Sequence, residues 1–304
     1  MNEEVAAVFP SAIAREPGGD VVTWRTSRRD IDLSSPVLMG ILNITPDSFS
    51  DGGRFFDAEA ALAQLERMRD EGADIVDVGG ESTRPGAAPV PAEEEVRRVI
   101  PVIEAAVRRF DIPLSVDTTK SAVARAALDA GVEIVNDISG LRYDRVLAEL
   151  AAETGAGLVL MHIRGRPRTM QVDIHYDDLL GEIMAELTDS VETARAAGCR
   201  REQLVVDPGI GFGKTAEHNL EILDRLDRIA ALGPPVMIGP SRKSFIGKAL
   251  GLDVEERIEG TIAACVVGLL RGARIFRVHD VEPVRRALDM AQAIVGRESR
   301  GKPA

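Results

Sequence analysis

The chain has 304 residues, with 37 Lys and Arg against 49 Asp and Glu, a formal net charge of −12 and 45% apolar residues. That length supports one large domain or two small ones, and the composition is that of a globular chain with a sizeable core, not a disordered one. An acidic balance with 4% aromatic residues excludes a binder of nucleic acid or of anionic membranes, so any anionic ligand must be held by a local cluster of positive groups.

In chain order, residues 1–19 read as loop, and VVTWRT followed by DIDLS (21–33) predicts a short hairpin that closes one mouth of the fold. The first residues carry Glu3 and Glu4 where a signal peptide carries positive charge. The best apolar stretch, Ile262 to Leu270, is half the length of a membrane span. Cys199 and Cys265 have no metal-ligand spacing and suit a reducing compartment. A soluble, cytoplasmic protein with no membrane partner is expected.

From Val37 onward, eight β-rich runs alternate with helical patterns. The runs are 37–43, 74–79, 114–118, 133–137, 157–162, 203–207, 235–239 and 273–278. Several are apolar almost throughout, as strands covered on both faces must be. The helical patterns are 58–71, 93–110, 121–130, 143–153, 177–197, 216–231, 256–271 and 283–295. Gly72, Gly131, Gly155, Gly198, Gly233 and Gly272 follow such patterns, where a left-handed C-terminal cap is wanted. Eight βα units in about 250 residues predict an α/β (β/α)8 TIM barrel over residues 37–296, after an N-terminal extension (1–36) and before a flexible tail (297–304). A doubly wound open sheet is the alternative, but no GxGxxG follows the first strand.

A barrel carries its chemistry at the C-terminal ends of its strands. Polar groups recur there: Asn43 to Gly53, Gly79 to Gly86, Asp117, Asn136-Asp137, Met161-His162, Asp207, Ser241 to Ser244, and Arg277 with His279 and Asp280. Singly, each has a plain reading. Asp117 and Ser121 could cap a helix, Asn136 and Asp207 could start turns, Arg277 could be a solvated surface group and His279 a satisfied loop histidine. Several buried carboxylates and amides at one rim, however, are costly without a shared partner. Two carboxylates, an amide and a lysine suit a flat heterocycle with N–H donors along one edge and a carbonyl nearby. Arg277 and His279, with Asn43 acting through a metal, suit a phosphate-type leaving group.

Two other signals fail. The run 209–215 looks like a phosphate loop, but Pro208 stands where its first glycine belongs. The four histidines have neither HxH nor HExxH spacing, which argues against zinc.

At these residues the sequence closely resembles the dihydropteroate synthase family, from about Val37 to Met290. The resemblance rests on MGILNITPDSFSDGG (39–53), GADIVDVGGESTRPGA (72–87), SVDTTK (115–120), EIVNDISG (133–140), MHIRGRPRTMQ (161–171), DPGIGFGKTAEHNLEIL (207–223), GPSRKSFIG (239–247) and GTIAACVVGLLRGARIFRVHDV (260–281). It implies a transferase of folate biosynthesis that condenses 6-hydroxymethyl-7,8-dihydropterin diphosphate with 4-aminobenzoate, with magnesium assisting departure of the diphosphate in an SN1-like reaction. The residues matching the family's pterin positions are Asp117, Asn136, Met161, Asp207, Phe212, Gly239, Lys243 and Arg277. Asn43, Arg277 and His279 match the diphosphate positions, Asn43 that of the metal. Phe49, Thr83, Arg84, Pro85, Lys243 and Ser244 match the aminobenzoate region. Asp47 resembles the residue that helps order the closed state, completing a catalytic set with Asp117, Lys243, Arg277 and His279. Sulfonamides are implied as competitive inhibitors, and a homodimer as the assembly. The departures, Ile163-Arg164, Arg166 and Pro240, fall in loops beside the site. The alternatives are a methyltetrahydrofolate-binding methyltransferase, which needs neither the SRKS loop nor Arg277 with His279, and a catalytically silent pterin-binding paralogue.

Overall fold

The computed structural model describes residues 23–44 and 53–295, with backbone only at 53–57. A short antiparallel hairpin comes first: β1 (Thr23–Arg25) pairs with β2 (Asp30–Asp32), Trp24 opposite Ile31. Eight further strands form a closed parallel barrel: β3 (Val37–Asn43), β4 (Ile75–Gly79), β5 (Leu114–Asp117), β6 (Ile134–Asp137), β7 (Gly157–Met161), β8 (Leu204–Asp207), β9 (Val236–Ile238) and β10 (Ala273–Val278). β10 closes onto β3 with Ile275 opposite Val37. Around it run α1 (Gly53–Asp70), α2 (Ala92–Arg109), α3 (Ser121–Asp129), α4 (Val146–Thr154), α5 (Leu179–Ala196), α6 (Ala216–Asp224), α7 (Leu226–Ala230), α8 (Ser244–Leu250), α9 (Ile258–Leu270) and α10 (Val281–Val295).

Local chemistry explains these elements. α2 places Glu93, Glu94 and Glu95 in its first turn and Arg108 and Arg109 in its last, complementing the helix dipole. Its buried Val99, Val102, Ile103 and Ala106 follow the three-and-four spacing of one face. The six glycines expected to end helices all have positive φ, from 73° to 110°. The largest apolar cluster fills the space between strands and helices. A second one fills the barrel interior: Trp24 and Leu33 of the hairpin segment pack on Val37, Met39, Ile75, Ile134, Val159, Val205, Met237 and Ile275. Trp24 is wholly buried and its Nε1–H donates to the Gln203 carbonyl at 2.9 Å. The hairpin is therefore a plug for the N-terminal end of the barrel, as the sequence predicts.

Three helical expectations need correction. The pattern 216–231 is two helices, because Arg225 leaves helical geometry at φ −115°, ψ 30°. Residues 143–145 precede α4, where Asp144 Oδ1 accepts the Val146 N–H at 3.1 Å and Leu141 has φ 66°. The seven-residue α8, with Gly247 inside it, was too short to register as a periodic pattern. The first loop's Asp47 and Phe49, the first 22 residues and the tail lie outside the described residues.

Candidate functional site

Parallel register brings the strand ends together. Asn43 stands opposite Gly79, Gly79 opposite Asp117, Asp117 opposite Asn136, and Met161 opposite Asp207. A cleft of about 340 Å³ opens above them, lined by Thr83, Asp117, Asn136, Ile138, Met161, Asp207, Ile210, Phe212, Met237, Gly239, Lys243 and Arg277. Every residue matched to the pterin positions is in that lining. A larger cleft of about 830 Å³ adjoins it, shares Thr83, Asp117 and Ile138, and runs past Lys120, Tyr143, Arg166 and Arg168.

An ion cluster forms the base of the smaller cleft. Arg277 Nη2 donates to Asp117 Oδ2 at 2.8 Å and its Nε to Asp77 Oδ2 at 2.7 Å. The same Asp77 oxygen accepts Asn136 Nδ2 at 2.9 Å. Asp77 escaped the sequence reading because it lies inside a strand run, two residues before Gly79 and so one layer deeper on the same face. The available signal was a carboxylate inside an otherwise apolar strand, which needs a cationic partner. Asp77 Oδ1 and Asn136 Oδ1 are buried without a protein hydrogen bond.

Burial pushes the Asp117 carboxyl up, Arg277 opposes this and Asp77 adds to it, leaving it at about 7. For Arg277, burial works against the charge, but Asp77 and Asp117 outweigh it and raise its pKa further. Asp207 Oδ1 accepts the Gly209 N–H at 2.6 Å. Burial lifts Asp207 to about 6 despite that bond and despite Lys243. Lys243 is pulled down to about 7 by burial, opposed by Asp207 and assisted by Arg277. Its Nζ donates to the Ile210 carbonyl at 2.7 Å and sits 3.8 Å from the centre of the Phe212 ring. Ile138 and Met161 also line the cleft, clustered with Ile163 and Met170, and Phe212 packs against that cluster. The cleft is thus a slot whose lining combines aliphatic and sulfur side chains and one aromatic ring with buried carboxylates, a lysine and an arginine.

Among the described residues, Asn43 and His279 stand at neighbouring strand ends beside the cleft. Asn43 ends β3, and its Oδ1 would be 3.6 Å from a Cβ placed on Gly79, beside Asp117. His279 Nδ1 lies 3.1 Å from Ser241 Oγ, which also accepts the His279 N–H at 3.2 Å. Burial lowers His279 to about 4, with Arg277, Arg242 and, more weakly, Arg84 adding to the fall. At neutral pH the ring is uncharged, so Arg277 supplies the fixed positive charge on that side. Arg84, Pro85 and Ser244 are exposed and do not line the cleft, whereas Thr83 does.

Two strand-end groups turn out to serve the scaffold. Asp137 accepts Ser139 N–H at 2.8 Å, Ser139 Oγ at 2.7 Å and Leu141 N–H at 2.6 Å. His162 points away from the cleft, towards Lys214. Ser121 N–H is taken by Asp144 Oδ2 at 2.8 Å, so Asp117 is not needed as a helix cap. Of the departures, Arg164 binds Glu182 and Glu186 behind the barrel wall, and Arg166 covers the Tyr143 ring at 4.3 Å.

Residues 39–279 match the family described as pterin binding enzyme. A dihydropteroate synthase of Clostridium beijerinckii is 49% identical over 261 residues, covering 86% of this chain and 94% of that one. The solved dihydropteroate synthase of Yersinia pestis, in complex with a sulfonamide drug, superposes with a TM-score of 0.85 at 42% identity, over 90% of this chain and 99% of that one. That of Xanthomonas albilineans with 4-aminobenzoic acid gives 0.84 at 44% identity, over 90% and 98%.

Proposed function

We propose a residue-level account of catalysis on the premise that the chain belongs to the dihydropteroate synthase family. The reaction joins a pterin carrying a diphosphate on its exocyclic carbon to the amine of 4-aminobenzoate. The carbon–oxygen bond to diphosphate breaks, the carbon–nitrogen bond forms, and the amine loses a proton. The observation that carries the reading is one cleft lined by Asp117, Asn136, Asp207, Lys243 and Arg277 together with Met161 and Phe212.

In this reading Asp207, as carboxylate, accepts the 2-amino and N3–H donors of the ring edge, and Lys243 donates to the ring carbonyl and a ring nitrogen. Burial supports both roles, because a hydrogen bond to an ionised group strengthens where water is excluded. Asp117 and Asn136 complete the polar edge, and Met161 and Phe212 hold the ring flat. Arg277 faces the developing negative charge of the leaving group, with its guanidinium pre-oriented by Asp77 and Asp117. His279 contributes a ring nitrogen beside it. No nucleophilic side chain is required: the pterin's own conjugation spreads the positive charge as the diphosphate departs, and the aniline nitrogen attacks that carbon. Thr83, Arg84, Pro85 and Ser244 receive the aminobenzoate, together with Phe49 and Asp47 of the first loop, and sulfonamides compete for the same place.

Magnesium fits this site in a restricted sense. Asn43 offers an amide oxygen, a hard donor, whereas no group of three or more Asp, Glu, His or Cys side chains gathers for a metal among the described residues. Asn43 is the residue that would hold a magnesium ion here, and a single hard oxygen donor suits a cation that keeps most of its own waters. When bound, it neutralises charge on the departing diphosphate. The homodimer and the cytoplasmic setting belong to the same reading; no described helix is long and apolar enough to cross a membrane.

Calorimetry with 6-hydroxymethylpterin tests the assignment. Asp207→Ala leaves the ring edge unpaired and abolishes measurable binding; affinity equal to that of the unaltered chain would reject the role.

A further inference from the structure

The catalytic account makes no use of the most deeply buried of the described lysines. Lys214 is 2% exposed and does not line the cleft. Its Nζ donates to the Phe212 carbonyl at 3.0 Å and to His162 Nδ1 at 2.9 Å, and lies 3.4 Å from the His162 carbonyl. These partners belong to the two segments that wall the slot. His162 directly follows Met161, the end of β7, and Phe212 is the aromatic wall in the loop after β8. The two segments are already laced together, since His162 N–H donates to the Asp207 carbonyl at 2.9 Å. Gly209 (φ 69°) passes so close that a Cβ there would stand 1.9 Å from the His162 carbonyl oxygen.

The His162 ring is tied on one side only, since its buried Nε2 has no hydrogen-bond partner among the described residues. His162 is 1% exposed, and its Nε2 lies 3.3 Å from Glu186 Oε2 on α5. Burial and the neighbouring Lys214 hold the His162 ring at about 4, so it is neutral and Nδ1 is free to accept while Nε2 keeps its hydrogen. The donors of Lys214 are directed at protein acceptors, leaving nothing for a substrate to take. That distinguishes Lys214 from Lys243, whose Nζ stands over the Phe212 ring inside the cleft.

We propose that Lys214 is a positioning residue that fixes Met161 and Phe212 relative to each other in the cleft lining by tying the Met161–His162 strand end to the Phe212 loop. Its effect passes through His162 and the Phe212 carbonyl and never through direct contact with the pterin. A rigid bicyclic ring packs well only against side chains held in fixed relative positions, so loosening one of them costs pterin affinity selectively. The inference rests on the pterin reading of the slot given above.

The test uses Lys214→Met, His162→Leu and His162→Asn. An Asn side chain returns an acceptor oxygen near the position of Nδ1, whereas Leu removes it. Calorimetry with 6-hydroxymethylpterin is run beside steady-state KM values for both substrates. Loss of one or two buried hydrogen bonds predicts pterin affinity lower by about 10- to 100-fold in Lys214→Met and His162→Leu, with recovery to within about threefold in His162→Asn. The KM for 4-aminobenzoate stays within about twofold in all three. If Lys214→Met does not fold, the two His162 variants decide the matter. Equal pterin affinity in His162→Leu and His162→Asn, or parallel rises in both KM values, would overturn the proposal. Failure of the unaltered chain to bind 6-hydroxymethylpterin would instead overturn the reading of the slot on which it depends.

Discussion

Replacing Asp77 by Leu probes the ion cluster beneath the cleft. The wholly buried Asp77 carboxylate accepts Arg277 Nε at 2.7 Å and Asn136 Nδ2 at 2.9 Å. Leu fills a similar volume, so the cost is polar: two buried donors lose their acceptor. Breaking one side of a buried pair costs about 3–5 kcal/mol. Arg277 keeps Asp117 at 2.8 Å, which holds the loss within that range. Against a total stability of about 5–15 kcal/mol, this is a large fraction. Asp77→Asn keeps an acceptor oxygen and costs about 1–2 kcal/mol. Urea unfolding followed by fluorescence of Trp24, the chain's one tryptophan, measures both values. A loss below about 1 kcal/mol in the Leu variant would refute the reasoning, because the cluster would then be replaceable by an apolar contact. A second readout isolates the charge. Asp77 helps hold Asp117 up at about 7, so carboxyl NMR of Asp77→Asn should find Asp117 titrating lower. An unmoved titration would contradict that coupling.

Three further outcomes are expected. Trp24→Ala removes the barrel plug and lowers stability by about 3–5 kcal/mol by circular dichroism, while pterin affinity below the melting range is unchanged. Asp207 is raised by burial to about 6, so calorimetry across about pH 5–8 should find pterin affinity falling as pH drops through about 6, by about tenfold per unit further down. The stability linkage has the opposite sense: between the unfolded value of 3.8 and about 6 the folded state holds a proton the unfolded chain has released, so this group's contribution declines as pH rises through that window. Arg277→Ala should weaken the diphosphate-bearing pterin more than the bare pterin in paired titrations; equal losses would count against its role at the leaving group.

The fold was legible because several of the eight strand runs are apolar on both faces and six of the helical patterns are followed by glycine, two signals that recur along the chain. The slot was legible at strand ends, where Asp117, Asn136 and Asp207 interrupt apolar runs. Asp77 was not, because its meaning depends on Arg277, 200 residues away and adjacent only once the barrel closes. His162 and Asp137 misled for the converse reason: strand ends alternate between facing the cleft and facing the helices, and both take partners in the scaffold. Nor does spacing reveal that Lys214 is a buried tie, since its role depends on the approach of two neighbouring βα loops.

The most direct test of the central claim is incubation of the purified chain with the pterin diphosphate, labelled 4-aminobenzoate and magnesium. The account predicts labelled 7,8-dihydropteroate and diphosphate in equal amounts. Absence of labelled product, with a control synthase active in the same mixture, would contradict it.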